Sequence, residues 1–408
     1  MTEKNEPQAS DSVKPLDGIR VLELGQLLAG PFTGTQLAYF GAEVIKVEPP
    51  NGGDPIRGWR EVKDGTSLWW HSIARNKKCV TLDLKSAKGR DIVRQLVAEC
   101  DVLIENFRPG KMESWQLGPE DIKKINPDII YTRISGYGQT GPYAAKPGFA
   151  SVTEGFSGFR YLNGFEGEAP VRANISMGDT MAGMQAFMGI LLALLHRGKK
   201  PENQGQVVDI ALYESMFNLL EAVVPEYDGA GVVRQPAGTT VTGIVPTNTY
   251  QCRDGKYVII GGNGDSIFKR LMKAAGQPEM ADDPRMSDNR GRVVHEKEID
   301  RALSEWTQTL DGDQVLALLE TANVPAGPIY NIEDMINDPH YQARGMFEEV
   351  QVRDQVLKIP AIMPKLDSTP GGTEWPGPEL GAHNTEVFQQ FLGLSDDQIK
   401  HLEEENII

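Results

Sequence analysis

The sequence predicts an α/β protein with a large Rossmann-like domain, built on a doubly wound and mainly parallel sheet, and a smaller α+β domain. Between residues 16 and 138, short segments rich in Val, Ile and Leu alternate with segments whose apolar residues recur about every 3.6 positions. This alternation is typical of a parallel sheet covered by helices on both faces. From about residue 250 to residue 322 the pattern changes to one hairpin and several charged helices, which indicates a second domain.

The elements of the large domain can be assigned in order. The predicted strands are GIRVLEL (18–24), AEVIKVE (42–48), CVTLDL (79–84), DVLIENF (101–107) and DIIYTRISG (128–136). The predicted helices between them are GPFTGTQLAYFG (30–41), SAKGRDIVRQLVAEC (86–100) and LGPEDIKKIN (117–126). Ligands of doubly wound sheets bind beyond the carboxyl ends of the strands, so the loops after these strands are the expected binding region.

The first of these loops, GQLLAGP, lacks the G-x-G-x-x-G fingerprint of dinucleotide-binding sheets. The chain also has no G-x-x-x-x-G-K-[ST] phosphate loop. We therefore expect neither a nicotinamide or flavin enzyme nor a nucleotide-hydrolysing enzyme.

The remaining segments complete the domain plan. An apolar helix follows Asp179, and GQVVDIALYESMFNLL (205–220) predicts a strand that leads into a helix. A Gly- and Thr-rich stretch marks a boundary, and TYQCRDGKYVIIGG predicts the hairpin of the small domain. After it, FEEVQVRDQVLKIPAI predicts a strand pair. We predict a disordered leader over 1–14, a large domain over 15–225, a small domain with its linkers over 226–325, and a return to the large domain over 326–408.

The amino-acid composition limits the kinds of partner that the protein is expected to bind. The 408 residues carry a formal net charge of −16, which argues against nucleic acid but leaves room for an anionic small molecule that meets a local basic patch. Three scattered cysteines without a CxxC spacing favour a reducing cytoplasm, and the six histidines show no metal-ligand spacing, so no metal is expected. The apolar run after Asp179 is interrupted by Gln185 and ends in HRGKK, so we expect a buried helix and no membrane partner.

Asp179 stands at the start of that apolar helix in SMGDTMAGMQAFMGILLALL. It has a structural interpretation, as a helix N-cap that accepts backbone N–H bonds. It also has a catalytic one, because an ionised carboxylate at a helix start lies close to amides that can stabilise an oxyanion. The sequence alone leaves both open.

The stretch GGNGDS (261–266) follows a predicted strand. It is either a tight turn or a mobile glycine flap whose amides contact a ligand and close over it. The loop RISGYGQTGP (133–142) poses the same choice: a structural turn, or a loop at the carboxyl end of the sheet with Tyr137 and Gln139 facing a ligand.

Cations cluster in ARNKK (74–78) and ENFRPG (105–110). Solvated surface charge is the ordinary explanation of such runs. A phosphate bound to an acidic protein nevertheless needs counter-charge, and the concentrated candidates are Arg75, Lys77, Lys78 and Arg108.

Ten motifs in this order resemble the family III CoA-transferases, the family of formyl-CoA transferase and carnitine CoA-transferase. They are PLDGIRVLEL…AGP, GAEVIKVEPPNGGDPIRGW, ARNKK, LDLK, DVLIENFRPG, SGYGQTGP, MGDTMAGM, GQVVDIALYESM, GNGDSIFKRL and GAHNTEVF. The resemblance covers the chain from about residue 15 onward. It implies interlocked homodimers, and two linkers between the domains are compatible with such threading.

The resemblance gives Asp179 the role of the nucleophile, because the family places its acyl-accepting aspartate in this G-D-x-x-x-G context. The carboxylate would attack a donor thioester to form an aspartyl anhydride, and CoA thiolate would convert the anhydride into an enzyme-bound thioester. Anhydrides hydrolyse readily, so water must be excluded, which favours a glycine flap at Gly261, Gly262 and Gly264. CoA is then a substrate, and no tightly bound cofactor is expected.

The same resemblance implies where CoA lies. The residues expected near it are Gln26, Leu27, Leu28, Asn106, Phe107 and Tyr137. Pro49 and Ser114 stand where some relatives offer arginines, so Arg75 or Arg108 could take over the phosphate contacts.

Two alternatives remain within the family. The 2-methylacyl-CoA racemases carry a histidine after the glycine downstream of the GYGQ turn, whereas here Phe149 follows Gly148. Without that histidine, exchange of the substrate α-proton lacks one of its bases, so we expect CoA transfer rather than racemisation. The chain could also be the active member of a transferase with two different subunits.

The general pattern of the chain is closest to members that move CoA from succinyl-CoA to another dicarboxylate, such as citramalate, malate, glutarate, itaconate or benzylsuccinate. A second carboxylate favours an arginine partner. The sequence offers four candidates and does not choose among them: Arg57, Arg60, Arg133 and Arg234. The tryptophans Trp59, Trp69 and Trp70 either line an apolar acceptor pocket or pack in the core.

Overall fold

The computed structural model describes residues 13–199 and 204–408 and divides into two compact units. Unit 1 contains the described residues up to 159 together with 173–220 and 343–408, and unit 2 contains 160–172 and 221–342. Residues 1–12 of the predicted leader lie outside the described residues.

The strands were expected from alternating apolar segments, and the structure gives their bounds. They are β1 (Arg20–Glu23), β2 (Glu43–Glu48), β3 (Val62–Lys63), β4 (Thr66–Ser67), β5 (Lys77–Thr81), β6 (Val102–Glu105), β7 (Ile130–Ser135), β8 (Val207–Ala211), β9 (Thr247–Gln251), β10 (Tyr257–Gly261), β11 (Ala326–Pro328), β12 (Phe347–Val352) and β13 (Gln355–Pro360). The five strands predicted for the start of the large domain, the strand of 205–220, the hairpin β9–β10 and the pair β12–β13 are confirmed. The short hairpin β3–β4 was not predicted.

The helices predicted over 30–41, 86–100 and 117–126, after Asp179 and at the end of 205–220 are present, and the structure adds others. They are α1 (Ala29–Tyr39), α2 (Leu68–Ile73), α3 (Ala87–Ala98), α4 (Lys111–Ser114), α5 (Pro119–Ile125), α6 (Ala150–Phe156), α7 (Met177–Arg197), α8 (Leu212–Phe217), α9 (Val223–Ala230), α10 (Asp265–Ala274), α11 (Pro278–Ala281), α12 (Asn289–Val294), α13 (Glu296–Thr307), α14 (Gly312–Thr321), α15 (Ile332–Asn337), α16 (Pro339–Ala343), α17 (Asn384–Leu392) and α18 (Asp396–Glu404).

The central sheet of unit 1 is parallel throughout, with strand order β5-β2-β1-β6-β7-β8. Successive side chains of β1 point to opposite faces. Leu22 belongs to a core that includes Val93 of α3, whereas Val21 belongs to a core that includes Leu37 of α1 and Ile190 of α7. Helices therefore cover both faces, and the order reverses between β1 and β6, where sheets of this type bind ligands.

The segment around α17 covers the outer edge of β5, which is the last strand on its side of the sheet. His383 accepts the Cys79 N–H at Nδ1 (3.1 Å) and donates its own N–H to the Cys79 carbonyl (3.0 Å). Asn384 accepts the Thr81 N–H (2.8 Å). These bonds satisfy edge groups that would otherwise be open to another strand.

Unit 2 is an α+β unit. Its antiparallel sheet has the order β11-β10-β9, and α10, α13 and α14 contribute Phe268, Leu303 and Val315 to one core. The unit extends to residue 342, beyond the predicted boundary at 325, because β11 pairs with β10 and so keeps the chain in this sheet. It also takes in 160–172, a segment that the sequence-based plan assigned to the large domain.

Helix α7 is less enclosed than expected. Its small residues Gly178, Ala182 and Ala186 are buried, whereas Met184 and Met188 are about half exposed on the opposite side. The expectation of a buried helix therefore holds for only one side of α7 in the single chain. Among the described residues, α7 is the one helix long and apolar enough to pass a length and composition test for a membrane span, a test that core helices also pass.

Candidate active site

Two of the predicted ligand-binding loops meet where the strand order reverses. Gln26 follows β1, and Asn106 follows β6. The Asn106 side chain accepts the Gln26 N–H (2.8 Å) and donates to the Gln26 carbonyl (2.8 Å). The structure thus brings Gln26, Leu27 and Leu28 beside Asn106 and Phe107, and it uses the Asn106 amide to hold the backbone of the first loop.

Asp54 holds the same loop from the other side. Leu27 has φ = 65°, a left-handed conformation that a branched residue rarely adopts, and its N–H donates to both carboxylate oxygens of Asp54 (3.0 and 3.2 Å). Asp54 also accepts the Ile56 N–H (3.0 Å). The loop conformation is therefore imposed jointly by Asn106, which the sequence analysis selected, and by Asp54, which it did not.

A fully buried ion network supports Asp54. Lys46 lies 2.9 Å from Asp54 and 3.0 Å from Glu23, and Lys77 lies 2.8 Å from Glu23. Burial acts to raise the pKa of Asp54, but the Lys46 ammonium and the N–H groups of Ile56 and Leu27 outweigh it and hold the pKa below its ordinary value. Asp54 is therefore ionised at neutral pH and accepts charge-assisted hydrogen bonds.

Asp179 occupies the first turn of α7 as its third residue. The N-cap position belongs to Ser176, whose side chain makes no capping hydrogen bond, so the interpretation of Asp179 as an N-cap is wrong. The carboxylate is half-buried at the positive end of a 21-residue helix, where a negative charge is stabilised. Gly178 beside it donates its N–H to buried Glu154 of α6 (3.2 Å).

Close packing fixes the helix that carries Asp179 against the start of α1. Gly183, one turn after Asp179, lies so near α1 that a Cβ there would be 2.8 Å from Phe32 and 3.0 Å from the Ala29 carbonyl. Residues four apart share a helix face. The face of Asp179 is thus the face that packs on α1, directly after the loop of Gln26 to Leu28.

The loop after β7 lies beside α6 and the residues that precede it. The Tyr137 ring packs edge-to-face against Tyr143 and Phe156. A Cβ at Gly148 would be 2.8 Å from the Tyr137 ring, and Phe149 after it is 71% exposed. Gln139 donates its N–H to Asp209 (3.0 Å), and its enclosed Nε2 has no hydrogen-bond partner within the described chain.

The predicted cation cluster does not form one basic surface. Arg75 is 2% exposed and donates to the carbonyls of Ser72 and Pro360 (both 2.7 Å). Lys77 is buried against Glu23, and Lys78 lies 2.8 Å from Glu43 and 2.7 Å from Glu386. Arg108 is exposed, so it keeps the accessibility that a phosphate contact needs.

The glycine stretch of unit 2 is anchored from inside that unit. Gly261 donates its N–H to the Pro325 carbonyl and Gly262 to the Pro246 carbonyl (both 2.9 Å), while Gly264 precedes α10 as its N-cap. Arg292, which is 0% exposed, donates to the carbonyl of Asn263 (2.6 Å) and to Asp265 (2.8 Å). The sequence analysis missed Arg292, because its neighbours in NRGRVV are largely polar and give no signal that this arginine is buried.

Within the described ranges, no group of three or more His, Cys, Asp or Glu side chains is arranged to hold a metal ion.

Comparison with known proteins gives a consistent result. The model of CoA-transferase family III matches residues 16–384. The chain is 45% identical to succinyl-CoA–D-citramalate CoA-transferase of Chloroflexus aurantiacus, over 97% of this chain and 98% of that protein. It is 39% identical to the succinyl-CoA–L-malate CoA-transferase alpha subunit of the same organism, over 99% and 97% respectively. A crystal structure of a CaiB/BaiF family protein from Brucella suis superposes with a TM-score of 0.83 at 33% identity, covering 93% of this chain and 99% of that one.

Proposed function

Because this chain belongs to CoA-transferase family III, we propose that it moves CoA from succinyl-CoA to a second dicarboxylic acid. The observation that carries the proposal is the similarity to a succinyl-CoA-dependent citramalate transferase over almost the whole length of both proteins. Citramalate and malate are the first acceptors to test, followed by glutarate, itaconate and benzylsuccinate.

We infer that Asp179 is the nucleophile of this reaction. Its carboxylate attacks the carbonyl carbon of succinyl-CoA, the C–S bond breaks, and CoA leaves as a thiolate. The thiolate then attacks the aspartyl carbonyl of the mixed anhydride, so that succinate leaves and an aspartyl-CoA thioester remains. The acceptor carboxylate repeats the two steps in reverse and restores Asp179. Its position at the start of a long helix supports this role, because the backbone N–H groups there stabilise negative charge.

We further propose that CoA lies along the two loops joined by Asn106 and Gln26. Leu27, Leu28, Phe107 and Tyr137 provide apolar contacts in this proposal. We assign the phosphate groups of CoA to Arg108 rather than to Arg75, because the guanidinium of Arg75 is enclosed and hydrogen-bonded. Gln139 offers an enclosed side-chain donor. The stretch from Gly261 to Gly264 stays a proposed flap, in which the N–H groups of Gly261 and Gly262 serve as anchors within unit 2 rather than as ligand contacts.

The nucleophile can be tested by Asp179→Ala. We expect succinyl-CoA-dependent transfer to be abolished while the circular dichroism spectrum stays that of the folded protein and the unfolding midpoint falls only slightly, and the exposed Asp64→Ala provides the matched control. Hydroxylamine treatment of the wild-type protein with succinyl-CoA should mark Asp179 in a peptide map. Transfer by a folded Asp179→Ala variant would disprove the role. Exchange of the α-proton of a 2-methylacyl-CoA would instead identify a racemase.

We propose that the chain forms an interlocked homodimer. The apolar residues Met184, Met188, Leu192 and Leu195 are each at least half exposed on α7 in the single chain, and such stripes mark interfaces. Met188→Glu should convert a dimer into smaller species in light scattering. A stable wild-type monomer would contradict the proposal. An unlike subunit in the native complex would instead favour a heteromer, of the kind that the name of the malate-specific relative indicates.

We also propose a cytoplasmic location. Cys79, Cys100 and Cys252 are free thiols in the structure, and burial raises the pKa of the Cys100 thiol to about 12. Unpaired cysteines are typical of proteins in a reducing compartment. Fractionation of the native cells would test the location.

A further inference from the structure

A dicarboxylate substrate has one carboxylate that does not react, and the structure separates the arginines that could bind it. Arg57 forms a two-pronged ion pair with Glu48 (2.7 and 2.8 Å) and stacks on Trp70 with its guanidinium carbon 3.7 Å from the ring centre. Both members of the pair are buried. Its donors are therefore committed to the protein itself.

Two further candidates are neutralised in the same way. Arg133 lies 2.8 Å from Glu105 and 2.7 Å from Glu113. Arg234, in unit 2, holds both carboxylate oxygens of Glu226 (3.0 and 2.6 Å). A substrate carboxylate could reach these arginines only by displacing a carboxylate that is already bound.

Arg60 is different. It is exposed, and its guanidinium carbon lies 4.8 Å from the centre of the Trp69 ring. Within the described ranges no Asp or Glu lies at ion-pair distance from Arg60. Stacking on an indole leaves the N–H groups of a guanidinium directed outward in its plane, where they can meet both oxygens of a carboxylate.

Within unit 1, the Trp69 ring beneath Arg60 lies in a cavity wall that also includes a residue of the helix that carries Asp179. Trp69, Phe32 and Met184 line one cavity of about 330 Å³, whose lining is mainly apolar. Phe32 packs against Gly183, which lies one turn from Asp179 on the same helix face. Arg60 thus stacks on one wall of this cavity, and Phe32 in the same wall packs against α7 one turn from Asp179.

We propose that Arg60, stacked on Trp69, binds the unreactive carboxylate of the dicarboxylate substrate and so selects dicarboxylates over monocarboxylates. This inference rests on the proposed CoA transfer. The apolar rings of Trp69 and Phe32 contact the methylene chain that separates the two carboxylates. The pair between Arg60 and the substrate forms with both oxygens of one carboxylate, a geometry that a lysine ammonium does not reproduce.

The test compares two acids that differ only in the distal carboxylate, glutarate and pentanoate, as acceptors from succinyl-CoA. In a two-step transfer, kcat/KM for the acceptor reports only the steps after the enzyme-CoA thioester has formed, so any effect of the variant on the donor cancels. Arg60→Gln should lower kcat/KM for glutarate by about 10- to 100-fold, the range expected for a lost charged hydrogen bond. The value for pentanoate should stay unchanged, and Arg60→Lys should lie between wild type and Arg60→Gln for glutarate.

Arg301→Gln, an exposed arginine on α13, is the matched control and should change neither value. Equal losses for glutarate and pentanoate in Arg60→Gln, or no loss for either, would overturn the role of Arg60 while the transfer activity of the wild type stands. A wild-type protein that moves CoA to no carboxylic acid would overturn the proposed function, and the inference with it.

Discussion

Asp54→Asn is the substitution that most directly tests how the first ligand loop is held. Asp54 is 1% exposed and lies 2.9 Å from the Lys46 ammonium, while its oxygens accept the N–H groups of Leu27 and Ile56. Asparagine keeps the shape but removes the charge and one acceptor oxygen. Removing one partner of a buried ion pair costs about 3–5 kcal/mol, and we expect about 3 kcal/mol because Lys46 retains Glu23 at 3.0 Å.

The measurement is urea unfolding of both proteins, together with KM for succinyl-CoA. We expect the free energy of unfolding to fall and KM to rise, because Leu27 loses one of the two oxygens that keep it at φ = 65°. Asp64→Asn is the matched control. Asp64 is exposed and 3.9 Å from Arg353, so its loss should change stability little, as exposed ion pairs contribute about 0–1 kcal/mol. If Asp54→Asn behaved like Asp64→Asn in both measurements, the buried network would not position this loop.

Two further predictions concern the glycine stretch and the edge of the sheet. Gly262→Ala should destabilise unit 2 by about 1–3 kcal/mol in chemical unfolding, because the new Cβ would lie 2.4 Å from buried Leu271 and 3.1 Å from Pro246. Gly261→Ala should be tolerated, since the nearest atom would be 3.8 Å away; equal losses would refute this packing argument. Burial lowers the pKa of His383 against the opposing pull of Glu386, so the unfolded chain binds the proton more readily. Stability should therefore fall as pH drops below about 6.5, the ordinary value for histidine, and His383→Gln should flatten that part of the unfolding profile; an unchanged slope would count against it.

Much of the fold could be predicted because its strands are short, apolar and separated by helical periods. The sequence also showed charges inside two apolar strands, Glu23 in β1 and Lys46 in β2. Their meaning depends on register, because Glu23 and Lys46 are paired neighbours only once the two strands align. A single sequence does not supply that alignment, so the ion network and Asp54 were missed.

The prediction for the cations failed in the opposite way, because residues adjacent in sequence were expected to act together. Arg75, Lys77 and Lys78 were read as a local basic patch because they are adjacent in sequence. Alternation along β5 buries Lys77 while Lys78 points to the other face, and Arg75 is enclosed by carbonyl groups. Whether a cation is exposed to solvent depends on partners that are distant in the chain, and a local sequence pattern does not reveal those partners. The same limit applied to α7, where spacing showed an apolar helix but not which of its faces would find a neighbour.

The hydrogen bonds from His383 and Asn384 to β5 also bear on the order of events during translation. Strand β5 is made early, whereas the groups that close its outer edge follow the whole of unit 2 in the chain. A nascent chain halted between these points carries an unprotected parallel sheet whose exposed amides can recruit a neighbouring polypeptide. We therefore expect that slower synthesis of the stretch between β5 and this segment increases aggregation of the newly made protein.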